Sequence, residues 1–298
     1  MRLFLEPEDV WLFRDGRPFD AGTIHRARSL FPPYPSAIQG AIRSHELAVK
    51  GIELHDKQKV KEAVGTTSDY GPLRLSGPFL AKYEEETKTL TRYFPMPADA
   101  FPSNKDGQKM KALIPEERPN KVLVSTTYDD VPLMLLPRDF EPGKKEYGDW
   151  LDETALKNYL GGKSATAIGT SHLFTTESRL GIKLAGNSRA AEQGMLYVAE
   201  FIRPCVKVGL YVEFEGYANW PSTGIMRFGG EGHAARYREV NASSWTLPPD
   251  RLPERFKIYF ATPTYFDKGW KPHSWEDFFD GRVSLQAVAL KEGWTNPG

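Results

Sequence analysis

The sequence predicts two α+β domains built on antiparallel sheets, and three observations carry that prediction. The chain has 298 residues, about twice the length of an average domain. The order of patterns is strand, loop, helix and strands, then a second helix and more strands. The runs from residue 196 to residue 214 alternate apolar and polar positions about Arg203-Pro204, as a hairpin does.

Each element has a local reason. Leu3, Leu5, Val10, Leu12 and Phe13 form an opening strand interrupted at Glu6-Pro7-Glu8-Asp9, and Asp15-Gly16 marks a turn. Residues 17–35 are rich in Gly, Pro, Arg and Ser, which makes a long loop of the kind that tends to carry function. Ser36 is a candidate N-cap for a helix with Ile38, Ala41, Ile42, His45 and Val49 at helical spacing, stopped by Gly51. Gly77-Pro78 leads into Phe79-Leu80-Ala81, and Tyr83 with residues 89–94 form a hairpin joined through Glu84-Glu85-Glu86. Residues 95–119, full of Pro, Lys and Asn, read as an insertion. Short strands are expected at 122–124 and 133–136, and a helix over Trp150 to Tyr159 stopped by Gly161-Gly162. Further strands are expected at 195–202, 206–214, 256–261 and 283–290. The division into domains is therefore set at residues 1–162 and 163–298.

Composition excludes several classes of protein. A single cysteine, Cys205, allows no internal disulfide and no CxxC zinc knuckle, so a reducing, cytoplasmic setting is expected. No run approaches the length of a membrane span or signal peptide, and no membrane partner is expected. Lys plus Arg number 39 and Asp plus Glu 39, so the whole chain has no net pull toward nucleic acid. The charges are nevertheless segregated. Residues 21–45 hold no acid but contain His25, Arg26, Arg28, Arg43 and His45. Residues 178–191 hold Arg179, Lys183 and Arg189 without an acid, and 201–212 hold only Arg203 and Lys207. Between Gly216 and Gly230 the one charge is Arg227, with Arg236 and Arg238 soon after. Acids gather at Glu84 to Glu86, Asp129-Asp130, residues 139–153 and Glu276-Asp277 with Asp280.

Enzyme motifs fail on spacing. Gly162-Lys163-Ser164 resembles the end of a phosphate-binding P-loop, but its first glycine would have to stand at Lys157. Gly229-Gly230-Glu231-Gly232 lacks GxGxxG spacing, no HExxH or GxSxG occurs, and the six His are scattered. No catalytic residue, metal site or cofactor is expected. The glycine cluster suits close backbone approach to a sugar-phosphate chain, with Arg227, His233, Arg236 and Arg238 beside it, or equally a flexible turn between strands.

These pieces together resemble a known family. Trp11-Leu12-Phe13-Arg14-Asp15-Gly16-Arg17-Pro18-Phe19, His25-Arg26-Ala27, Ser29, Phe31-Pro32-Pro33-Tyr34-Pro35-Ser36 and Gly40-Ala41-Ile42-Arg43-Ser44 are similar to the N-terminal signature of one family. Gly77-Pro78-Phe79-Leu80, Glu177-Ser178-Arg179-Leu180-Gly181-Ile182, Gly194-Met195-Leu196-Tyr197 and Gly229-Gly230-Glu231-Gly232-His233 match it further. The family is that of the third subunit of the Cmr complex, the type III-B CRISPR RNA-guided effector, in the RAMP superfamily. The resemblance implies two ferredoxin-like (RNA-recognition-like) domains with long loop insertions, and a non-catalytic role holding the 5′ repeat-derived handle of the guide RNA. It also implies partners, namely the large polymerase-like subunit and a backbone subunit. The family more often has Arg where this chain has His233, which makes the charge there pH-dependent. Members usually continue past a Gly-Trp segment into a Val-Pro-rich strand, whereas this sequence closes at Gly293 to Gly298.

On this reading Arg26, Arg28, Arg43, Arg179, Lys183 and Arg189 neutralise phosphates. His25, Arg227, Gly229, Gly230, Gly232, His233 and Arg236 complete the RNA-binding set, and Phe31 and Tyr34 are candidates for stacking bases, Phe31 being equally suited to plug the core. Two rival readings remain at this stage. One is a metal-independent guide-processing endoribonuclease using His25, His45 or His233 as acid or base. The other is a protein adaptor with Trp11, Trp220 and Trp270 among its interface anchors, although core packing is the simpler role for most of the seven Trp.

Overall fold

A computed structural model describes residues 1–14, 26–102, 110–112, 114–116, 133–135, 150–184, 191–243, 252–264, 266, 271–279 and 281–289. In chain order the elements are β1 (Arg2–Pro7), β2 (Arg26–Ala27), α1 (Pro35–Val49), α2 (Lys57–Val64), β3 (Arg74–Glu84) and β4 (Thr89–Pro95). There follow β5 (Ala100–Pro102), β6 (Met110–Ala112), β7 (Ile114–Glu116), β8 (Leu133–Leu135), β9 (Trp150–Asp152) and α3 (Glu153–Leu160). The last are β10 (Phe174–Leu184), β11 (Ala191–Pro204), β12 (Val208–Glu215), β13 (Thr223–Arg227) and β14 (Ala234–Glu239). The protein is thus mixed α and β, with mostly antiparallel strands and few helices.

The division into compact units differs from the one expected. One unit comprises Met1–Tyr93 and Thr170–Phe256, the other Phe94–Gly169 and Lys257–Gly298. Gly161-Gly162, the expected boundary, lies inside the second unit. The insertion expected over 95–119 also belongs there, and its described part pairs β5 with β6.

In the first unit the strands follow the order β13-β14-β1-β12-β3-β4, each antiparallel to its neighbours. Leu3, Phe4 and Leu5 of β1 are at most 1% exposed, which suits the strand between two others, and β12 is buried along most of its length. Helix α1 covers this sheet through Ile38, Ile42 and Leu47, each aliphatic side chain contributing about 1.5–3 kcal/mol on full burial. Its N-cap is Tyr34 rather than Ser36, because Pro35 with its fixed φ already occupies the first helical turn.

Three further expectations change. The runs expected to form one hairpin about Arg203-Pro204 are both strands, β11 and β12, but they do not pair with each other. β11 pairs with β10, and β12 with β1 and β3. The turn closed by the Val208 N–H on the Cys205 carbonyl carries the chain from one sheet to the next. The helix expected from Trp150 begins only at Glu153, where the Asp152 carboxylate accepts the Ala155 N–H, and Trp150 stands in β9. Residues 256–261 form no regular strand. The hairpin expected through Glu84 to Glu86 is present as β3 and β4. The strand expected at 122–124 lies outside the described residues.

Candidate nucleic-acid interface

Strands β10, β11 and β2 form a separate sheet in the first unit, with β11 in the middle. Arg179 stands opposite Ala199, and Arg26 and Ala27 run parallel to Val198 and Ala199. Segments from three acid-free windows, far apart in sequence, therefore meet on one small sheet. One face is buried: Ala27, Ala199 and Phe201 form a cluster with Val10 and Leu12. Arg28, directly after β2, is exposed. Leu180, opposite Val198, is 72% exposed.

The fourth window is tied to the same place. Trp11 bridges to Ile202 of β11, and the Gly230 N–H donates to the Leu12 carbonyl at 2.7 Å. The loop from Phe228 to His233 closes on itself, with the Phe228 N–H on the His233 carbonyl and the His233 N–H on the Gly230 carbonyl. Gly229 and Gly232 have φ of +104° and +76°, values that favour glycine. Two of the loop N–H groups expected to face phosphate are thus spent inside the protein. The His233 ring packs edge-on against Phe201 at 5.4 Å.

Two of the expected phosphate-binding arginines, Arg179 and Arg236, meet acids of this same chain, as do the neighbouring Arg203, Arg238 and Lys207. Asp9 accepts from Arg179 Nη2 at 2.8 Å and Arg203 Nη2 at 3.0 Å, while Glu177 accepts from Arg179 Nε at 2.7 Å and Arg203 Nε at 2.6 Å. Two cations and two anions close a ring. Hydrogen bonds from Arg179 and then Arg203 hold the Asp9 carboxyl below its usual range, and the same two, Arg203 first, do so for Glu177. Arg179 also lies 4.8 Å over the Phe201 ring. Arg236 grips Glu8 with Nε and Nη2 at 3.2 and 3.1 Å, and Arg238 pairs with Glu6 and Glu85. Lys207 donates to Glu84 at 2.6 Å and to Glu86.

Arg43 is occupied differently. Its Nε and Nη2 donate to the Val64 and Thr66 carbonyls at 3.0 and 2.8 Å, tying α1 to the end of α2. Arg28 and Arg227 contrast with all of these, since both are exposed and neither has an acceptor among the described residues. His25 and Arg189 lie outside the described residues, and for Arg26 and Lys183 only the backbone, in β2 and β10, is described.

The aromatic candidates separate cleanly. Phe31, half-buried, packs with Trp11, Phe13 and Phe174, centroids 4.7–6.3 Å apart, so much of its ring is already taken by neighbours within the chain. Tyr34 is 46% exposed. Trp11 and Trp220 are 0% and 7% exposed, which removes both as interface anchors, and Trp270 lies outside the described residues. His45 shares a 2.8 Å hydrogen bond with the Tyr237 hydroxyl and packs against Trp220. Burial lowers its pKa against the opposing pull of Glu46. No group of three His, Cys, Asp or Glu side chains is placed to hold a metal among the described residues.

Comparison with known proteins gives the family. Two cryo-EM structures resemble the chain. One is the type III-B Cmr-beta bound to cognate target RNA and AMPPnP, at 18% identity and a TM-score of 0.42, covering 82% of this chain and 64% of that one. The other is the type III-B Cmr-beta bound to cognate target RNA, at 16% identity and a TM-score of 0.43, covering 84% and 67%. This chain spans less than two thirds of the length of the first. No curated protein matches. A family model described as CRISPR-associated protein (Cas_Cmr3) matches residues 3–294. With the match running over nearly its whole length, the chain belongs to the Cas_Cmr3 family of CRISPR-associated proteins.

Proposed function

We propose that the chain is a non-catalytic RNA-binding subunit of a type III-B CRISPR effector complex of the cytoplasm. In this reading it holds the 5′ repeat-derived handle of the guide RNA and bridges the large polymerase-like subunit to the backbone subunits. The observation that carries the reading is the meeting of β2, β10, β11 and the loop after β13 in one locality. Arg28 and Arg227, exposed and facing no acid among the described residues, are suited to phosphate.

The order β14-β1-β12-β3, with α1 between β1 and β3 in sequence, supports a ferredoxin-like reading of the first unit. In that scheme β13 stands where a second helix is usual. The surroundings of His45 favour the binding reading over the endoribonuclease: its ring is committed to Tyr237 and Trp220, and burial disfavours its charged form. No helix among the described residues is long and apolar enough to cross a membrane.

Crosslinking guide RNA in the reconstituted complex tests the proposal. Crosslinks from the handle to residues 26–28, 178–183 or 227–233 are the expected result. A handle that crosslinks only to other subunits would contradict it.

A further inference from the structure

A groove of about 660 Å³ opens in the first unit between the start of α1 and the segment leading into β3. That is within the range of small-ligand clefts. Ser36 and Gln39 come from the acid-free window 21–45, while the residues from Ser68 to Leu75 lie outside every such window. Its polar lining is Ser36, Gln39, Ser68, Asp69, Tyr70 and Arg74.

The Tyr70 ring is held rigidly there without being buried. The turn that carries it runs from Gly65, with φ +78°, to Gly71, with φ +64°. A Cβ at Gly65 would stand 2.1 Å from the Asp69 carbonyl oxygen, so only glycine lets the turn close. Inside the turn the Thr66 hydroxyl accepts the N–H groups of Ser68 and Asp69, and the Asp69 carboxylate accepts that of Gly71. Arg43 fastens the turn to α1 through the Val64 and Thr66 carbonyls and lies 5.7 Å over the Tyr70 ring. For all this fixing, Tyr70 remains 47% exposed. Core packing does not account for a ring presented in this way.

The side chains around it complement one another. Arg74 donates through Nη1 to the Gly71 and Leu73 carbonyls, which fixes its guanidinium at the groove and leaves other donors for a ligand. Gln39 and Ser36 offer neutral donors and acceptors, and Asp69 offers an acceptor for an amino group. An aromatic face, a fixed guanidinium and a mixed polar edge are what an unpaired nucleotide needs: stacking for the base, hydrogen bonds for its edge and charge for its phosphate.

We infer that this groove is a subsite for one unpaired nucleotide of single-stranded RNA, with the base stacked on Tyr70, its edge toward Gln39 and Asp69, and a phosphate on Arg74. The inference rests on the RNA-binding function proposed above and adds a contact outside the sheet of β10, β11 and β2. Arg43 is here a positioning residue for the ring, not a phosphate ligand.

The test uses the full-length chain and a short single-stranded RNA oligonucleotide of mixed sequence carrying 4-thiouridine, read by anisotropy and by crosslink mapping. Tyr70→Ala should weaken binding about tenfold, in line with the loss of one stacked base, with the salt slope unchanged. Tyr70→Phe should bind like the parent. Arg74→Ala should flatten the slope by about one unit. Crosslinks should reach the segment from Ser68 to Arg74. Thermal unfolding of each variant separates lost contact from lost fold.

If the parent binds RNA and Tyr70→Ala binds equally well, the subsite is overturned while the function proposed for the chain stands. Failure of the parent to contact RNA at all would overturn that function and the subsite with it. If Tyr70→Ala keeps its RNA affinity but loses association with another subunit, the groove is a protein-docking surface and the inference is wrong.

Discussion

The rim at the end of β1 and the pair Arg28 and Arg227 are both arginine-bearing, yet they differ in what each can offer a ligand. On the rim, Glu6, Glu8 and Asp9 face Arg238, Arg236, Arg179 and Arg203, and Glu177 completes the ring with Asp9. Arg28 and Arg227 face no acid among the described residues. A window without acids in sequence is therefore not a surface without acids. Phosphate affinity arises from cations that release counterions when they meet RNA, and an arginine already closed on a carboxylate contributes less of it.

The largest effect expected lies beneath both regions. Trp11 is fully buried and touches Phe13, Phe31 and Phe228, so it props the joint between the sheet of β10 and β11 and the glycine loop. Trp11→Ala should cost about 3–5 kcal/mol of stability, read by denaturant unfolding. An unchanged midpoint would mean that the two regions are not built on a shared core. Next comes Arg43→Ala, which removes two hydrogen bonds from a charged donor and should cost about 1.5–3 kcal/mol. Because those donors never reach solvent phosphate, the salt slope of RNA binding should stay as it was.

A smaller effect is set by pH. His45 has its pKa lowered by burial, so the unfolded chain takes up the proton more readily than the folded one. Its contribution is complete above the ordinary histidine value of about 6.5 and falls as pH drops from there toward the lower folded value. Melting curves of the parent and His45→Gln across that interval should converge as the pH falls. Parallel curves would show that His45 does not titrate with folding. Subtler still, Asp9→Asn with Glu177→Gln should free Arg179 and Arg203, steepening the salt dependence and tightening RNA binding at low salt. No gain in either would mean that those arginines point away from the RNA path.

Much of the framework was legible in the sequence because period and punctuation are local. The alternation of Leu3 and Leu5 marked β1, the spacing of Ile38, Ala41 and Ile42 marked α1, and the glutamates between Tyr83 and Thr89 marked the turn between β3 and β4. Partner choice was not legible. β11 and β12 read as a hairpin since they are consecutive and alternating, but β12 is buried along most of its length and sits between β1 and β3. The interleaved units are not legible for the same reason, as the segments Met1–Tyr93 and Thr170–Phe256 join in one unit only through folding.

The candidate site divides in the same way. The basic segments could be read as windows, and they do gather. Their neutralisation could not, because Asp9 lies 170 residues from Arg179 and 194 from Arg203. For Phe31 the sequence leaves a stacking ring and a core plug equally open, and its contacts with Trp11 and Phe174 favour the plug. Tyr70 and Arg74 stand outside the basic stretches. Their signal was the pair Gly65 and Gly71 flanking Ser68-Asp69, a turn with chemistry on it.

The comparison of rim and open pair turns on the salt dependence of guide-RNA binding by the reconstituted complex, measured for Arg28→Ala, Arg227→Ala and Arg236→Ala. Replacing Arg28 or Arg227 should reduce the slope by about one unit each, and replacing Arg236, held by Glu8, should leave it unchanged. A slope that falls for Arg236→Ala and holds for the other two would contradict the account at its centre.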